Sequence, residues 1–172
     1  YNCSRPFKKA RYGSQRHFYA FDSFEGLPNP KDDYKGKYKR GQYCGSKMDF
    51  VKKMDEQKIP SSDYTITEGY YEDVLTEDFR SSLPIKKVAA VVLDCDLYES
   101  TTSALKFVEP YLQQGTLVFL AEYFNYGGDF NRGMAKAASD FLKKSEGKFR
   151  FNEWRPYGDS GLVLICQKDH EK

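Results

Sequence analysis

Residues 88–103 read VAAVVLDCDLYESTTS, and this stretch decides the fold class. Its first part, 88–93, is entirely apolar, which is typical of a central strand whose two faces are both covered by helices. Two carboxylates follow, Asp94 and Asp96, and then a polar segment that can start a helix. Ligands of open α/β sheets bind just outside the carboxyl ends of the strands, so both aspartates are candidate functional residues.

The segments on either side alternate between predicted strands and predicted helices. Strands are predicted at 17–21, 64–67, 87–93 and 116–121, helices at 46–57, 100–112 and 132–144, and a last strand pair at 148–154 and 161–167. Alternation of this kind predicts an α/β fold with a doubly wound, mostly parallel sheet. The short turn between the last strands predicts an antiparallel hairpin at one edge. We expect a single domain over 1–172, with 1–16 as an irregular opening segment.

Composition excludes several classes of function. The 27 basic and 25 acidic residues give a net charge of +2, which offers no electrostatic reason to bind nucleic acid or an anionic membrane. No apolar run approaches the roughly 20 residues that a membrane span requires. The four cysteines form no CxxC pair, which leaves no zinc or redox motif, and we interpret the protein as reduced and cytoplasmic. The 14 Tyr and 13 Phe suit a cleft for a planar or sugar-like ligand, although most are expected simply to pack.

Acidic residues follow four successive predicted strands, at Asp22, Glu68, Asp94 and Glu122. In a parallel sheet the carboxyl ends of the strands lie at one rim, so these side chains are expected at the same edge. A carboxylate at such a position can accept hydrogen bonds from both hydroxyls of a ribose. Asp22 is the candidate for that role.

Asp94 and Glu122 follow strands that would be neighbours, about 4.8 Å apart. Two carboxylates at that spacing can hold a hard divalent cation such as Mg²⁺. Such an ion would lower the pKa of a substrate hydroxyl. Without a metal, Asp94 could act as a general base. A structural alternative stays open, in which Asp94 and Asp96 cap the following helix.

Three motifs resemble those of the macrocin O-methyltransferase (TylF-like) family, and their order and separations match as well. They are FDSFEGLP at 21–28, EGYYED at 68–73 followed by Leu75, and LDCDLYEST at 93–101. The alternating strands with a final hairpin also fit the Rossmann-like S-adenosylmethionine-dependent methyltransferases. The resemblance covers nearly the whole chain from about residue 17.

The resemblance implies S-adenosylmethionine as cofactor, magnesium, and methylation of a hydroxyl on a sugar or sugar-containing small molecule. It implies that Asp22 binds the cofactor ribose, with Ser23, Glu68 and Gly69 in the same cofactor site. It also implies that Asp94 is the first metal ligand and lies close to the methyl-accepting hydroxyl, with Glu122 as the remaining metal ligand.

The chain departs from the family pattern in two places. The family has an Asp-Asp pair followed by Tyr where this chain reads Ala121-Glu122-Tyr123, and a central Gly where it has Cys95. The family also begins with a strand and a Gly-rich turn around the methionine part of the cofactor. Residues 1–16 do not supply these, so we expect either a preceding segment or a partner to complete the sheet.

Three functions remain open from the sequence. The leading one is a metal-assisted O-methyltransferase. The second is a weakened or inactive relative that binds a sugar, a nucleoside or a protein partner. The third binds sugar nucleotides without methyl transfer. The sequence does not decide the acceptor or whether the chain forms a homo-oligomer.

Overall fold

A computed structural model describes residues 16–31, 36–127, 129–145 and 147–168. The predicted irregular segment 1–16 therefore lies outside the described residues, apart from its last position. By its internal contacts the chain divides into two units, Tyr1–Tyr70 and Tyr71–Lys172. The expectation of one domain over 1–172 stays a prediction.

The fold is mixed α/β, as the alternating pattern predicted, and strand boundaries move by a few residues. The elements are β1 (Phe18–Asp22), α1 (Lys47–Glu56), β2 (Tyr64–Glu68), α2 (Tyr71–Val74), α3 (Glu77–Ser82), β3 (Ala90–Leu93), α4 (Tyr98–Val108), β4 (Leu117–Leu120), α5 (Gly133–Lys144), β5 (Phe149–Tyr157) and β6 (Gly161–Lys168). Within the described ranges, no helix is long and apolar enough to cross a bilayer.

In the first unit, β1 and β2 pair in parallel, and the register ends with Asp22 opposite Glu68. Helix α1 begins where predicted because the Ser46 side chain accepts hydrogen bonds from the backbone N–H groups of Met48 and Asp49. Phe50 anchors α1 to the unit through an edge contact with Tyr64, with ring centroids 6.3 Å apart.

In the second unit the strands form one sheet in the order β3-β4-β6-β5. The pair β3·β4 is parallel, whereas β4·β6 and β5·β6 are antiparallel. The predicted C-terminal hairpin is therefore confirmed. One face of this sheet forms the core with α4 and α5, and the buried residues on it include Val91, Leu93, Val118, Leu120, Leu164, Ala104, Leu105, Ala138 and Phe141.

The prediction that helices cover both faces of the strand after residue 88 is wrong. Val91 and Leu93 are buried, but Ala90 is exposed and Val92 is 52% exposed. The buried residues of α4 and α5 lie in one core with Val91 and Leu93, so both helices cover the same face and leave the face that carries Val92 exposed. An apolar run indicates that a strand could be buried on both faces. The elements that pack against the strand determine whether both faces are buried.

Candidate functional site

The carboxylate of Asp22 shapes the turn that follows β1. Its Oδ1 accepts a hydrogen bond of 2.6 Å from the backbone N–H of Phe24. The Ser23 hydroxyl donates to the carbonyl of Gly26 at 2.9 Å and accepts from the N–H of Glu25 at 3.1 Å. One oxygen of Asp22 is thus engaged in the turn, and the side chain as a whole is exposed at the carboxyl end of the strand.

Glu68 and Gly69 lie beside Asp22 at the end of β2. Glu68 is the register partner of Asp22, and the N–H of Gly69 donates to the Asp22 carbonyl at 3.0 Å. Gly69 has a φ of 142°, which glycine adopts at low cost. The four predicted cofactor residues therefore lie together in the first unit.

Sequence reasoning missed one member of this group. Lys47, the first residue of α1, forms a 2.8 Å ion pair with Glu68, and both side chains are about half exposed, at 49% and 51%. An exposed pair of this kind contributes little to stability, so its main effect is on local charge. Of these two carboxylates, Glu68 is already in an ion pair with Lys47, so Asp22 is the better candidate to bind a ligand.

Asp94, Cys95 and Asp96 leave the end of β3 in alternating directions. Asp94 is exposed, Cys95 is buried and Asp96 is half-buried. The Cys95 sulfur lies 3.4 Å from the Thr101 hydroxyl, and burial raises the pKa of the thiol to about 12. The buried Cys95 side chain fixes this segment and leaves the Asp94 carboxylate facing solvent.

Asp96 has a left-handed backbone with a φ of 54°, a conformation that costs energy for residues other than glycine and that clusters at functional sites. The N-cap position of α4 is Leu97, which makes no side-chain cap. Neither aspartate is the N-cap residue that the structural alternative required.

Glu122 follows β4, the parallel neighbour of β3. The register pairs Leu93 with Leu120, and the N–H of Ala121 donates to the Leu93 carbonyl at 2.9 Å. The residue at the level of Asp94 is therefore Ala121, and Glu122 lies one position further. Its Oε2 accepts a hydrogen bond of 3.0 Å from the hydroxyl of Ser160, a residue that sequence reasoning missed.

The carboxylates at these strand ends can be compared with the ligands that a magnesium site requires. No group of three or more His, Cys, Asp or Glu side chains in the described part of the chain is arranged to hold a metal. Asp94 and Glu122 each carry carboxylate oxygens and follow neighbouring strands. Magnesium binds commonly through one or two carboxylates and completes its octahedron with water and substrate oxygens. The chemistry of the pair fits that mode and not a cage made only of protein ligands.

The segment after β4 carries a cluster of aromatic rings. Tyr123 is buried and contacts Phe124 and Phe130 edge-on, with centroid separations of 4.9 Å and 6.1 Å. Phe124 and Phe130 are 42% and 58% exposed. Burial, and next the negative charge of Glu153, raises the pKa of the Tyr123 hydroxyl. Two exposed rings thus lie close in sequence to Glu122.

Comparison with solved structures shows the fold. The O-methyltransferase NovP superposes with a TM-score of 0.68 at 18% identity, covering 91% of this chain and 62% of its own. Calicheamicin methyltransferase CalS11 gives 0.66 at 21% identity, covering 87% and 60%. An O-methyltransferase from Bacillus cereus, solved in complex with SAH, gives 0.51 at 12% identity, covering 72% and 60%.

This chain therefore spans roughly three fifths of the length of the structures that it resembles. No curated protein matches it. The model of the macrocin-O-methyltransferase (TylF) family matches residues 5–146. The matched region contains the turn after β1 and the acidic ends of β2, β3 and β4. Since the match extends over most of the sequence, the chain belongs to the macrocin-O-methyltransferase (TylF) family.

Proposed function

We propose that this chain carries out S-adenosylmethionine-dependent O-methylation of a hydroxyl on a sugar or sugar-containing small molecule. The observation that carries the proposal is the exposed Asp94 carboxylate at the carboxyl end of β3, inside the family-matched region. Strand ends are where ligands bind in open α/β sheets. Cys95, buried beside it, holds the backbone of the segment in place.

Asp22 is proposed to bind the ribose of the cofactor. Its Oδ1 is occupied by the turn, so Oδ2 is the oxygen with room to accept from ribose hydroxyls. Ser23 supports this by stabilising the turn through its bond to Gly26. Glu68, paired with Lys47, and Gly69 complete the proposed cofactor residues.

Asp94 is proposed to act at the acceptor hydroxyl. Where no ion is bound, its carboxylate would take up the proton of the acceptor hydroxyl, and S-adenosylmethionine would supply the methyl group to the hydroxyl oxygen. Asp94 and Glu122 would hold magnesium. When bound, that ion supplies Lewis acidity, which makes a hydroxyl easier to deprotonate.

A sugar-like acceptor is supported by two features. Phe124 and Phe130 offer exposed rings that contact Tyr123, the residue after Glu122, and aromatic faces pack well against the apolar side of a sugar. CalS11, which shares the fold, is described as a TDP-rhamnose 3'-O-methyltransferase. These features favour a glycosyl acceptor over a small planar one.

Calorimetric titration with S-adenosylhomocysteine, with and without Mg²⁺, tests the proposal. We expect binding by the wild type, weaker binding by Asp22→Ala, and an enthalpy of Mg²⁺ binding that Asp94→Asn removes. Glu56→Gln, an exposed substitution in α1, is the control and should change neither. Absence of binding at millimolar S-adenosylhomocysteine would overturn the proposed cofactor.

A weakened relative is the second candidate, and Ala121 favours it. This residue, which carries no ligand atom in its side chain, stands at the level of Asp94 in the β3·β4 register. On that reading the chain binds S-adenosylhomocysteine without responding to Mg²⁺, and methyl transfer to sugar acceptors is absent in a single-turnover assay.

A further inference from the structure

Ser160 lies in the tight turn between β5 and β6. The antiparallel register pairs Leu120 of β4 with Leu162 of β6. Counting two residues outward on each strand places Ser160 opposite Glu122. The position of Ser160 therefore follows from the sheet itself, and the hairpin delivers its side chain to the carboxyl end of β4.

Gly161 allows this close approach. A Cβ built on Gly161 would lie 2.5 Å from the Tyr157 carbonyl oxygen and 2.9 Å from that of Leu120. Real Cβ atoms do not come so near to a backbone oxygen, so any side chain here would force the turn away from β4. Glycine lets the turn pack directly against the end of the strand.

Ser160 then contacts three residues of the segment after β4. Its hydroxyl lies 3.0 Å from Glu122 Oε2 and 3.1 Å from the Ala121 carbonyl oxygen. Its own carbonyl accepts a hydrogen bond of 2.7 Å from the N–H of Phe124. Ser160 thus holds the backbone of residues 121–124 through Ala121 and Phe124, and it also holds the Glu122 carboxylate.

The hydroxyl has one proton for two acceptors. The Ala121 carbonyl and an ionised Glu122 carboxylate both only accept, so the Ser160 proton is divided between them. This bond engages Oε2 of Glu122 and limits the rotation of its side chain. Groups that hydrogen-bond a ligating carboxylate in this way fix its orientation, and their loss typically weakens metal binding by about 10- to 100-fold.

We propose that Ser160 is a positioning residue for Glu122, which raises the affinity of the Asp94–Glu122 pair for Mg²⁺ by holding the Glu122 carboxylate in place. The inference rests on the proposed role of that pair. In this proposal the turn before β6 also shapes the site. Ser160 acts through Glu122 and contacts neither the ion nor the acceptor.

A double-mutant cycle on metal affinity tests this inference. Mg²⁺ binding is measured by calorimetry, and Mn²⁺ binding by electron paramagnetic resonance, for the wild type, Ser160→Ala, Glu122→Gln and the double variant. We expect Ser160→Ala to weaken binding about tenfold in the wild-type background. In the Glu122→Gln background it should weaken binding less than about twofold, because the group that it positions is already altered. Ser160→Thr, which keeps the hydroxyl, should restore most of the affinity.

Asp159→Ala, an exposed change in the same turn, is the control, and thermal unfolding without metal verifies that each variant is folded. An equal loss in both backgrounds would make Ser160 a purely structural residue and overturn the inference. Tighter binding by Ser160→Ala would also overturn it, because the bond would then compete with the ion. If the wild type binds Mg²⁺, and Glu122→Gln weakens that binding but Ser160→Ala leaves it unchanged, the role of Ser160 is overturned while the proposed metal site stands. If the wild type binds no Mg²⁺, the proposed metal role fails with it.

Discussion

The Nζ atom of Lys136 lies 3.9 Å from the centroid of the Tyr98 ring, which joins α5 to α4. Asp140 completes the contact: its Oδ2 accepts from Tyr98 Oη at 3.0 Å and from Lys136 Nζ at 2.8 Å. The Lys136 and Asp140 side chains are 35% and 33% exposed, so solvent screens part of their attraction. The cluster ties together the two helices that cover the buried face of the sheet.

Asp140→Asn should lower the free energy of unfolding by less than about 1 kcal/mol at pH 7, because it removes a screened ion pair but keeps a partner for Tyr98. The hydrogen bond from Lys136 holds the pKa of Asp140 below its usual 3.8. A lowered pKa gives stability that is present above the unfolded value and lost as pH falls through the folded one.

Urea unfolding at pH 7 and near pH 3 measures this effect. The difference between wild type and Asp140→Asn should shrink at the lower pH, whereas Asp78→Asn, an exposed control in α3, should show no such trend. A difference that stays constant between the two pH values would contradict an electrostatic role for Asp140.

Gly161→Ala should destabilise the protein by about 2 kcal/mol, in the range of overpacking effects. The added Cβ would meet backbone oxygens of Tyr157 and Leu120, which cannot rotate away as a side chain would. Gly45→Ala is the matched control, since a Cβ there meets nothing within 4 Å. Thermal unfolding compares the two. Similar midpoints for both variants would show that the turn can shift freely.

Cys95 should resist alkylation by iodoacetamide at pH 8, while the exposed Cys44 reacts. With a pKa of about 12, the Cys95 thiol remains protonated at pH 8, and burial also blocks the reagent. Peptide mass mapping after timed alkylation follows each cysteine separately. Equal rates for Cys44 and Cys95 in the native protein would mean that the segment after β3 opens readily.

Asp22→Asn and Asp22→Ala should separate the two roles of this side chain. Asparagine keeps an oxygen for the N–H of Phe24, so the turn and the melting temperature should be preserved. Alanine loses that bond and should lower stability by about 1 kcal/mol. Both should weaken S-adenosylhomocysteine binding about tenfold or more. Full affinity in Asp22→Asn would leave Asp22 with the turn as its only role.

Much of the fold could be predicted because it depends on local pattern. The apolar runs located β3 and β4, Ser46 located the start of α1, and the short turn before Gly161 indicated the final hairpin. The prediction that Asp94 and Glu122 follow neighbouring strands is confirmed, because β3 and β4 pair in parallel. The four acidic strand ends belong to two sheets, Asp22 and Glu68 to one and Asp94 and Glu122 to the other, so their expected place at a single edge stays a prediction.

The rest depends on neighbours that local sequence does not identify. Val92 looks like a core residue in the sequence, but α4 and α5 both pack on the opposite face of β3, with Val91 and Leu93. Ser160 looks like an ordinary turn residue, and only the β4·β6 register reveals that it faces Glu122. Counting residues outward from the Leu120–Leu162 pair of that register would have placed Ser160 opposite Glu122.

The half-exposed face of β3 has a thermal consequence. Val92 and Ala90 remain hydrated in the folded chain, so unfolding exposes little additional apolar area there. The heat capacity of unfolding rises by about 0.45 cal/mol/K for each Å² of apolar surface newly exposed to water. Two hydrated side chains change the heat capacity of unfolding of the whole chain only slightly, and an element that covered β3 would raise it and make stability depend more steeply on temperature.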